Sequence, residues 1–315
     1  MEKQIAFLYA GQGSQTPGMG KDLYEKYGEF QSIIDSAHLS FSLKEMMFDA
    51  TMEELSNTSV TQPCLAAFAA GVTKILYNNG VKPSVVAGLS LGEYSALYAA
   101  GVFDTKELIE LTAYRGKVME ETTRGMDTKM VAVLGLARDT LLQICQSVTD
   151  TSDGIVEVAN LNCPGQYVIA GHKDAVEQAE ILAKGQGAKR VLPLKVSGPF
   201  HTSLMKPAGE ALKERFKTTT FSDMKVPVFF NATGLKLNKN ETIDQLLVQQ
   251  VQSSVHMEDI IRNMLAQGIR TFVEIGPGKA LTGFVKRIRG EEEIQTYSIS
   301  TAEDLHEVID ALGVN

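Results

Sequence analysis

A chain of 315 residues exceeds what one simple core usually organises, so one large domain carrying an insertion, or two domains, is expected. With 44% hydrophobic and 22% charged residues and no biased tract, the composition excludes disordered and fibrous classes. The 30 basic and 38 acidic residues leave a net charge of −8, which argues against a general binder of nucleic acid or membrane surfaces.

The unbroken apolar run at 5–9 predicts a strand, and Gly11-Gln12-Gly13-Ser14-Gln15 follows it. Leu65, Phe68, Ala69, Val72, Ile75 and Leu76 recur at three- and four-residue intervals, a helix that Asn78-Asn79-Gly80 stops. A short strand at 85–87 leads into Gly88-Leu89-Ser90-Leu91-Gly92 and a helix-compatible stretch from Glu93 to Leu97. Leu108, Leu111, Thr112, Arg115, Val118 and Met119 form a second helical stripe, opened by an Asp104-x-x-Glu107 capping box. The chain then reads strand (131–134), helix (140–147), strands (155–161 and 166–170), helix (175–184) and strand (189–194). This βαββαβ order is the ferredoxin-like pattern. Further strands are expected at 226–230 and 271–275.

Strands alternating with helices imply an α/β fold with a mainly parallel sheet. The expected organisation is a large α/β-hydrolase-like domain from residues 1–127 and 197–315, with a small ferredoxin-like domain inserted at 128–196 and Gly198-Pro199 marking the return. The longest apolar stretch, 64–72, is too short to span a bilayer, and the run at 5–9 is too short for a signal-peptide core. A cytoplasmic protein is expected. Cys64, Cys145 and Cys163 form no CxxC pair, so neither a disulfide framework nor a zinc site is indicated.

Gly88-Leu89-Ser90-Leu91-Gly92 matches G-x-S-x-G in the strand-turn-helix context of a nucleophile elbow. There the glycines permit a sharp turn, the serine hydroxyl stands exposed and the N–H of Leu91 faces an oxyanion. The competing reading is a glycine-rich turn with an ordinary N-cap serine. A serine needs a base, and of five histidines only His201 sits in a segment built like a site, Ser197 to Ser203. His38, His172, His256 and His306 read as surface or satisfied core residues. Gly11 to Gln15 resembles half of a dinucleotide fingerprint, but Thr16 stands in place of the third glycine. Its other reading is a loop that frees the N–H of Gln12 for the oxyanion. Arg115 occupies an apolar-facing helical position, where it is costly unless paired. It reads either as a structural salt bridge or as a clamp for a substrate carboxylate.

Six stretches in order resemble the malonyl-CoA:acyl carrier protein transacylases, relatives of the acyltransferase domains of polyketide and fatty acid synthases. They are Gly11 to Gln15, Gly88 to Tyr94, Arg115-Gly116-Lys117, Asn160 to Gln166, Phe200 to Met205 and Glu274 to Lys279. The resemblance implies Ser90 as acylated nucleophile, His201 as base and the N–H groups of Gln12 and Leu91 as the oxyanion hole. It also implies Arg115 as partner of the malonyl carboxylate, Asn162 as a substrate contact, and the main-chain carbonyl of Gln250, instead of an aspartate, as the group orienting the histidine. Phe200 matches relatives that choose malonyl over methylmalonyl; one methyl is worth about 1–3 kcal/mol, a preference and not an absolute gate. The chain departs from the family at Leu89, where a histidine is usual, and at Ser253 to Met257, where a Pro-Val-aromatic-type stretch is common.

The implied activity transfers malonyl from coenzyme A to the phosphopantetheine thiol of an acyl carrier protein, by a ping-pong route serving fatty acid synthesis. No cofactor or metal is implied, and the expected form is a monomer that binds neither nucleic acid nor membrane. An acidic carrier meeting an acidic enzyme calls for a local basic patch, with Lys279, Lys286, Arg287, Arg289, Lys189 and Arg190 as candidates. The alternatives are a trans-acting polyketide-type acyltransferase, a serine thioesterase or hydrolase, and a non-catalytic carrier-docking module.

Overall fold

The computed structural model describes residues 4–196 and 198–313, so the expected return point at Ser197 lies outside the described residues. Four strands form a parallel sheet: β1 (Ile5–Tyr9), β2 (Val85–Gly88), β7 (Thr271–Ile275) and β8 (Gln295–Ile299), in the order β2-β1-β7-β8. Every residue of β1, β2 and β7 is buried, so β1 and β2 read as plain apolar runs, and β7 as an apolar stretch carrying Thr271 and Glu274. β8 lies at the edge with only Ile299 buried. Its sequence, Gln-Thr-Tyr-Ser-Ile, carries no such run, and sequence reading passed over it.

The expected strand at 226–230 is reduced to isolated bridge residues at Val228 and Phe229, with Val228 pairing with Val86. Val86 N–H donates to the Pro227 carbonyl and Phe229 N–H to the Val86 carbonyl, both at 3.0 Å. Pro227 has no N–H to carry the ladder further.

The second sheet is antiparallel: β3 (Thr128–Leu134), β4 (Val156–Cys163), β5 (Gln166–His172) and β6 (Arg190–Pro193), in the order β4-β5-β3-β6. Helices Arg138–Thr151 and Lys173–Gly185 complete the βαββαβ unit. Counted within that unit the strand order is 2-3-1-4, the ferredoxin-like arrangement. Val131, Val133, Val158, Ile169, Leu141 and Val176 pack in its core.

The chain divides into two compact units. The first comprises Met1–Lys117, Thr219–Phe229 and Met264–Asn315; the second comprises Val118–Thr218 and Phe230–Asn263. The second unit thus exceeds the 128–196 insertion read from the sequence. Backbone pairing supplies the reason. Val255 N–H donates to Ala159 at 2.9 Å and Leu161 N–H to Val255 at 2.8 Å, so the segment after helix Ile243–Val251 is stitched to the free edge of β4. Ser203 is tied to Glu157 through its N–H at 2.8 Å and its hydroxyl at 2.6 Å. Such partners, distant in sequence, leave no local signature. No helix among the described residues is long and apolar enough to cross a membrane.

Candidate active site

In the first unit β2 ends at Gly88 and helix Gly92–Ala99 begins four residues later. Their junction presses on the end of β1. A Cβ at Gly92 would stand 2.1 Å from the Tyr9 carbonyl oxygen, and one at Gly88 would stand 1.9 Å from the Gly92 carbonyl carbon. Leu89 N–H donates to that same Tyr9 carbonyl at 3.0 Å. Main chain meets main chain here, so both glycines are sterically required. Ser90, at the tip, has φ 54°. Among the described residues the only other non-glycine with positive φ is His201, at 62°. Each such residue costs on the order of 1–3 kcal/mol, and such strain concentrates at functional sites.

The Gly11–Gln15 loop abuts this turn, since a Cβ at Gly11 would lie 2.4 Å from the Leu89 carbonyl oxygen. Ser14 donates from its hydroxyl to the Gly11 carbonyl at 2.8 Å, and Gln15 Oε1 accepts from Gly13 N–H at 2.7 Å. No acceptor for the backbone N–H of Gln12 or of Leu91 is found among the described residues. Leu91 directly precedes the first turn of helix Gly92–Ala99, where such donors face outward and favour negative charge.

Arg115, on helix Thr105–Thr123, is fully buried. Its Nη2 donates to Ser90 Oγ at 3.1 Å and its Nη1 to Gln62 Oε1 at 2.9 Å. The guanidinium carbon lies 5.4 Å from the centre of the Tyr94 ring. Burial pushes the guanidinium pKa down, and Tyr94 and Glu93 push it back up; a guanidinium stays protonated in either case. Gly116 permits this placement, because a Cβ there would lie 2.5 Å from the Thr58 carbonyl oxygen at the start of helix Thr58–Asn78. Gln62, on that helix, is a site residue the sequence reading missed. The available signal was an amide, between Thr61 and Pro63, just before the apolar run 64–72 of that helix.

The second unit carries His201, Gln250, Phe200 and Asn162, all buried. His201 Nδ1 lies 2.8 Å from the Gln250 main-chain oxygen. A carbonyl only accepts, so Nδ1 carries a proton, and in the neutral ring Nε2 keeps its lone pair. That carbonyl is available because Gln250 sits in the last turn of helix Ile243–Val251, whose final C=O groups have no helical partner. Gly198 packs so closely that a Cβ would meet Thr123 Cγ2 at 2.1 Å, and Thr202 donates from its hydroxyl to the Pro199 carbonyl at 2.6 Å. These contacts fix the segment that bears His201. Asn162 Oδ1 is buried with no hydrogen-bond partner among the described residues.

The first unit therefore gathers Ser90, Arg115, Leu91 and Gln12, and the second gathers His201 with Gln250. A strand-end serine beside a buried guanidinium, with N–H donors at its flank, defines an acyl-transferring class of site. A family model described as an acyl transferase domain matches residues 6–302. The malonyl CoA-acyl carrier protein transacylase of Bacillus subtilis is 41% identical over 98% of this chain and 97% of that protein. The crystal structure of an acyl carrier protein S-malonyltransferase from Vibrio cholerae is 36% identical, with TM-score 0.92, covering 97% of this chain and 100% of that one. A malonyl-transacylase solved in complex with its type II PKS acyl-carrier protein is 35% identical, with TM-score 0.93, covering 98% and 100%. The chain belongs to the malonyl-CoA:acyl carrier protein transacylase family.

Proposed function

We propose that this chain moves a malonyl group from malonyl-CoA to the phosphopantetheine thiol of an acyl carrier protein through a malonyl-Ser90 ester, supplying fatty acid synthesis. The observation that carries the reading is the 3.1 Å hydrogen bond from the buried Arg115 guanidinium to Ser90 Oγ. It puts a cationic fork in direct contact with the nucleophile, within reach of the carboxylate of a short acyl group attached there. A hydrolase acting on uncharged esters has no use for that fork.

In the proposed route His201 Nε2 takes the Ser90 proton as Oγ attacks the thioester carbonyl. The N–H groups of Gln12 and Leu91 hold the oxyanion, and loss of one well-placed donor costs about 10²–10³ in kcat. Collapse expels the coenzyme A thiolate, which takes the proton back from His201. The carrier thiol then gives its proton to His201 and attacks the ester, and Ser90 leaves as the restored hydroxyl. Gln250 holds the imidazole in the tautomer this needs, the part an aspartate plays elsewhere. Arg115 pairs with the free malonyl carboxylate. Phe200 fills the space an α-methyl would need, and the Asn162 side-chain oxygen is an acceptor for the substrate amide arm. The proposed form is a monomer, and coenzyme A and carrier substrates fit a cytoplasmic setting.

Intact-mass measurement after mixing with malonyl-CoA tests the reading. Wild type gains one malonyl adduct that added holo-carrier discharges, and Ser90→Ala gains none. A wild type that stays unmodified, or a Ser90→Ala variant that is still malonylated, removes the proposal.

A further inference from the structure

Arg115 alone does not explain how its guanidinium stays aimed. Its side chain has four rotatable bonds, and a carboxylate is gripped well only when the planar fork is already oriented. Gln62 supplies a fixed acceptor. Its Oε1 takes the Nη1 hydrogen at 2.9 Å, both side chains are fully buried, and the partners are 53 residues apart in sequence. The opposite end of the same amide is engaged as well: Gln62 Nε2 donates to Gln12 Oε1 at 3.4 Å, and Gln12 Nε2 donates to Thr58 Oγ1 at 3.0 Å. This chain runs in one direction. An amide flip would aim the Gln62 NH₂ at the guanidinium and its carbonyl at the Gln12 carbonyl, losing two hydrogen bonds and facing like dipoles together. The amide is therefore locked with its oxygen toward Arg115, and the face of the Tyr94 ring borders the guanidinium at 5.4 Å.

We infer that Gln62 is a positioning residue for acyl-group selection: it holds the Arg115 fork in the orientation that receives the substrate carboxylate beside Ser90. The inference rests on the proposed malonyl transfer. Gln62 is neutral, which matters as much as its geometry. A carboxylate at this position would satisfy the guanidinium permanently and compete with the substrate's own carboxylate, whereas an amide orients the charge without cancelling it.

The test is the initial rate of Ser90 acylation, read by quenched intact-mass measurement, with malonyl-CoA and with acetyl-CoA, which lacks the carboxylate. The quantity is the malonyl-to-acetyl ratio of kcat/KM. Gln62→Ala lowers the ratio at least about tenfold, the scale of one hydrogen bond to a charged group. Gln62→Glu, nearly isosteric, lowers it further, its malonyl rate falling more than its acetyl rate. In an Arg115→Ala background, Gln62→Ala has no further effect on the ratio. Equal losses for both thioesters in Gln62→Ala and Gln62→Glu, or a further fall of the ratio without Arg115, overturn the inference. Wild type that malonylates Ser90 while both Gln62 variants keep its ratio sinks this inference alone. Wild type that takes up no malonyl group sinks the functional reading and this inference with it.

Discussion

Ser90 and His201 hold left-handed backbone angles that a side chain disfavours, and the proposed chemistry needs side chains at both. Strain and function are thus coupled at single residues. Ser90→Gly removes the penalty together with the proposed nucleophile, so its thermal midpoint should exceed that of Ser90→Ala, with neither variant expected to acylate; the difference corresponds to about 1 kcal/mol. Equal midpoints in a melting experiment would show that the angle is unstrained. The neighbouring glycines predict the opposite response. A Cβ at Gly92 lands 2.1 Å from the Tyr9 oxygen, and neither main-chain group can rotate away. Gly92→Ala should lose about 1–3 kcal/mol or more by the measures used for overpacked interiors, with acylation reduced more than stability. A variant with wild-type melting and rate would contradict this account of the turn.

At the scale of elements, two polar devices fasten helices that the apolar pattern alone would leave loose. Glu274, on β7, is fully buried and accepts from Leu281 N–H at 3.0 Å and Thr282 N–H at 2.8 Å, closing the start of helix Ala280–Ile288. Burial raises its pKa, and the backbone donors pull it back. Glu274→Ala leaves both donors buried and unsatisfied, so a loss of about 1–3 kcal/mol per donor is expected in denaturant unfolding. Asp259, on helix Met257–Ala266, bonds to His256 at 2.9 Å and receives a two-pronged contact from Arg138 at 2.7 and 3.0 Å. The His256 hydrogen bond, then Arg138, hold its carboxyl well below the usual range. A depressed carboxyl contributes stability that is complete above its unfolded pKa, about 4, and is lost as the pH falls toward the folded one. Below about pH 4 the melting point of wild type should therefore fall more steeply than that of Asp259→Asn. Parallel curves would remove Asp259 from the acid response.

For the whole molecule, a net charge of −8 disfavours an acidic carrier unless positive groups collect locally. Lys279, Lys286 and Arg287, on or beside helix Ala280–Ile288, are exposed, as are Lys189 and Arg190 at the start of β6. Arg289 is half-buried and donates to the Glu292 carbonyl at 2.7 Å, which leaves it less available. If the exposed group receives the carrier, Lys286→Glu with Arg287→Glu should raise the apparent KM for carrier several-fold at low salt. The gap should narrow as ionic strength shortens the screening length toward 8 Å and below. Self-malonylation from malonyl-CoA should be unchanged, and an unmoved KM would dismiss these residues as a solvated helix face.

What the sequence determined by itself was local: the buried runs of β1, β2 and β7, the elbow whose glycines are forced by close approach, and the βαββαβ order of the small sheet. In each the information sits within a few residues, as hydrophobic period or as the absence of a Cβ. Edge strand β8 escaped that reading because it is half-polar, and the strand expected at 226–230 is reduced to bridge residues because Pro227 cuts it short. Tertiary structure decided the rest. Nothing near Gln62 in the chain says that it faces Arg115, 53 positions on, and nothing near His201 gives the 2.8 Å distance to a helix-end carbonyl, 49 positions on. Likewise Val255 joins β4 only through backbone groups that every residue has. Side-chain periodicity encodes which face is buried; it does not encode which partner a buried polar group will meet, since that depends on how distant elements pack.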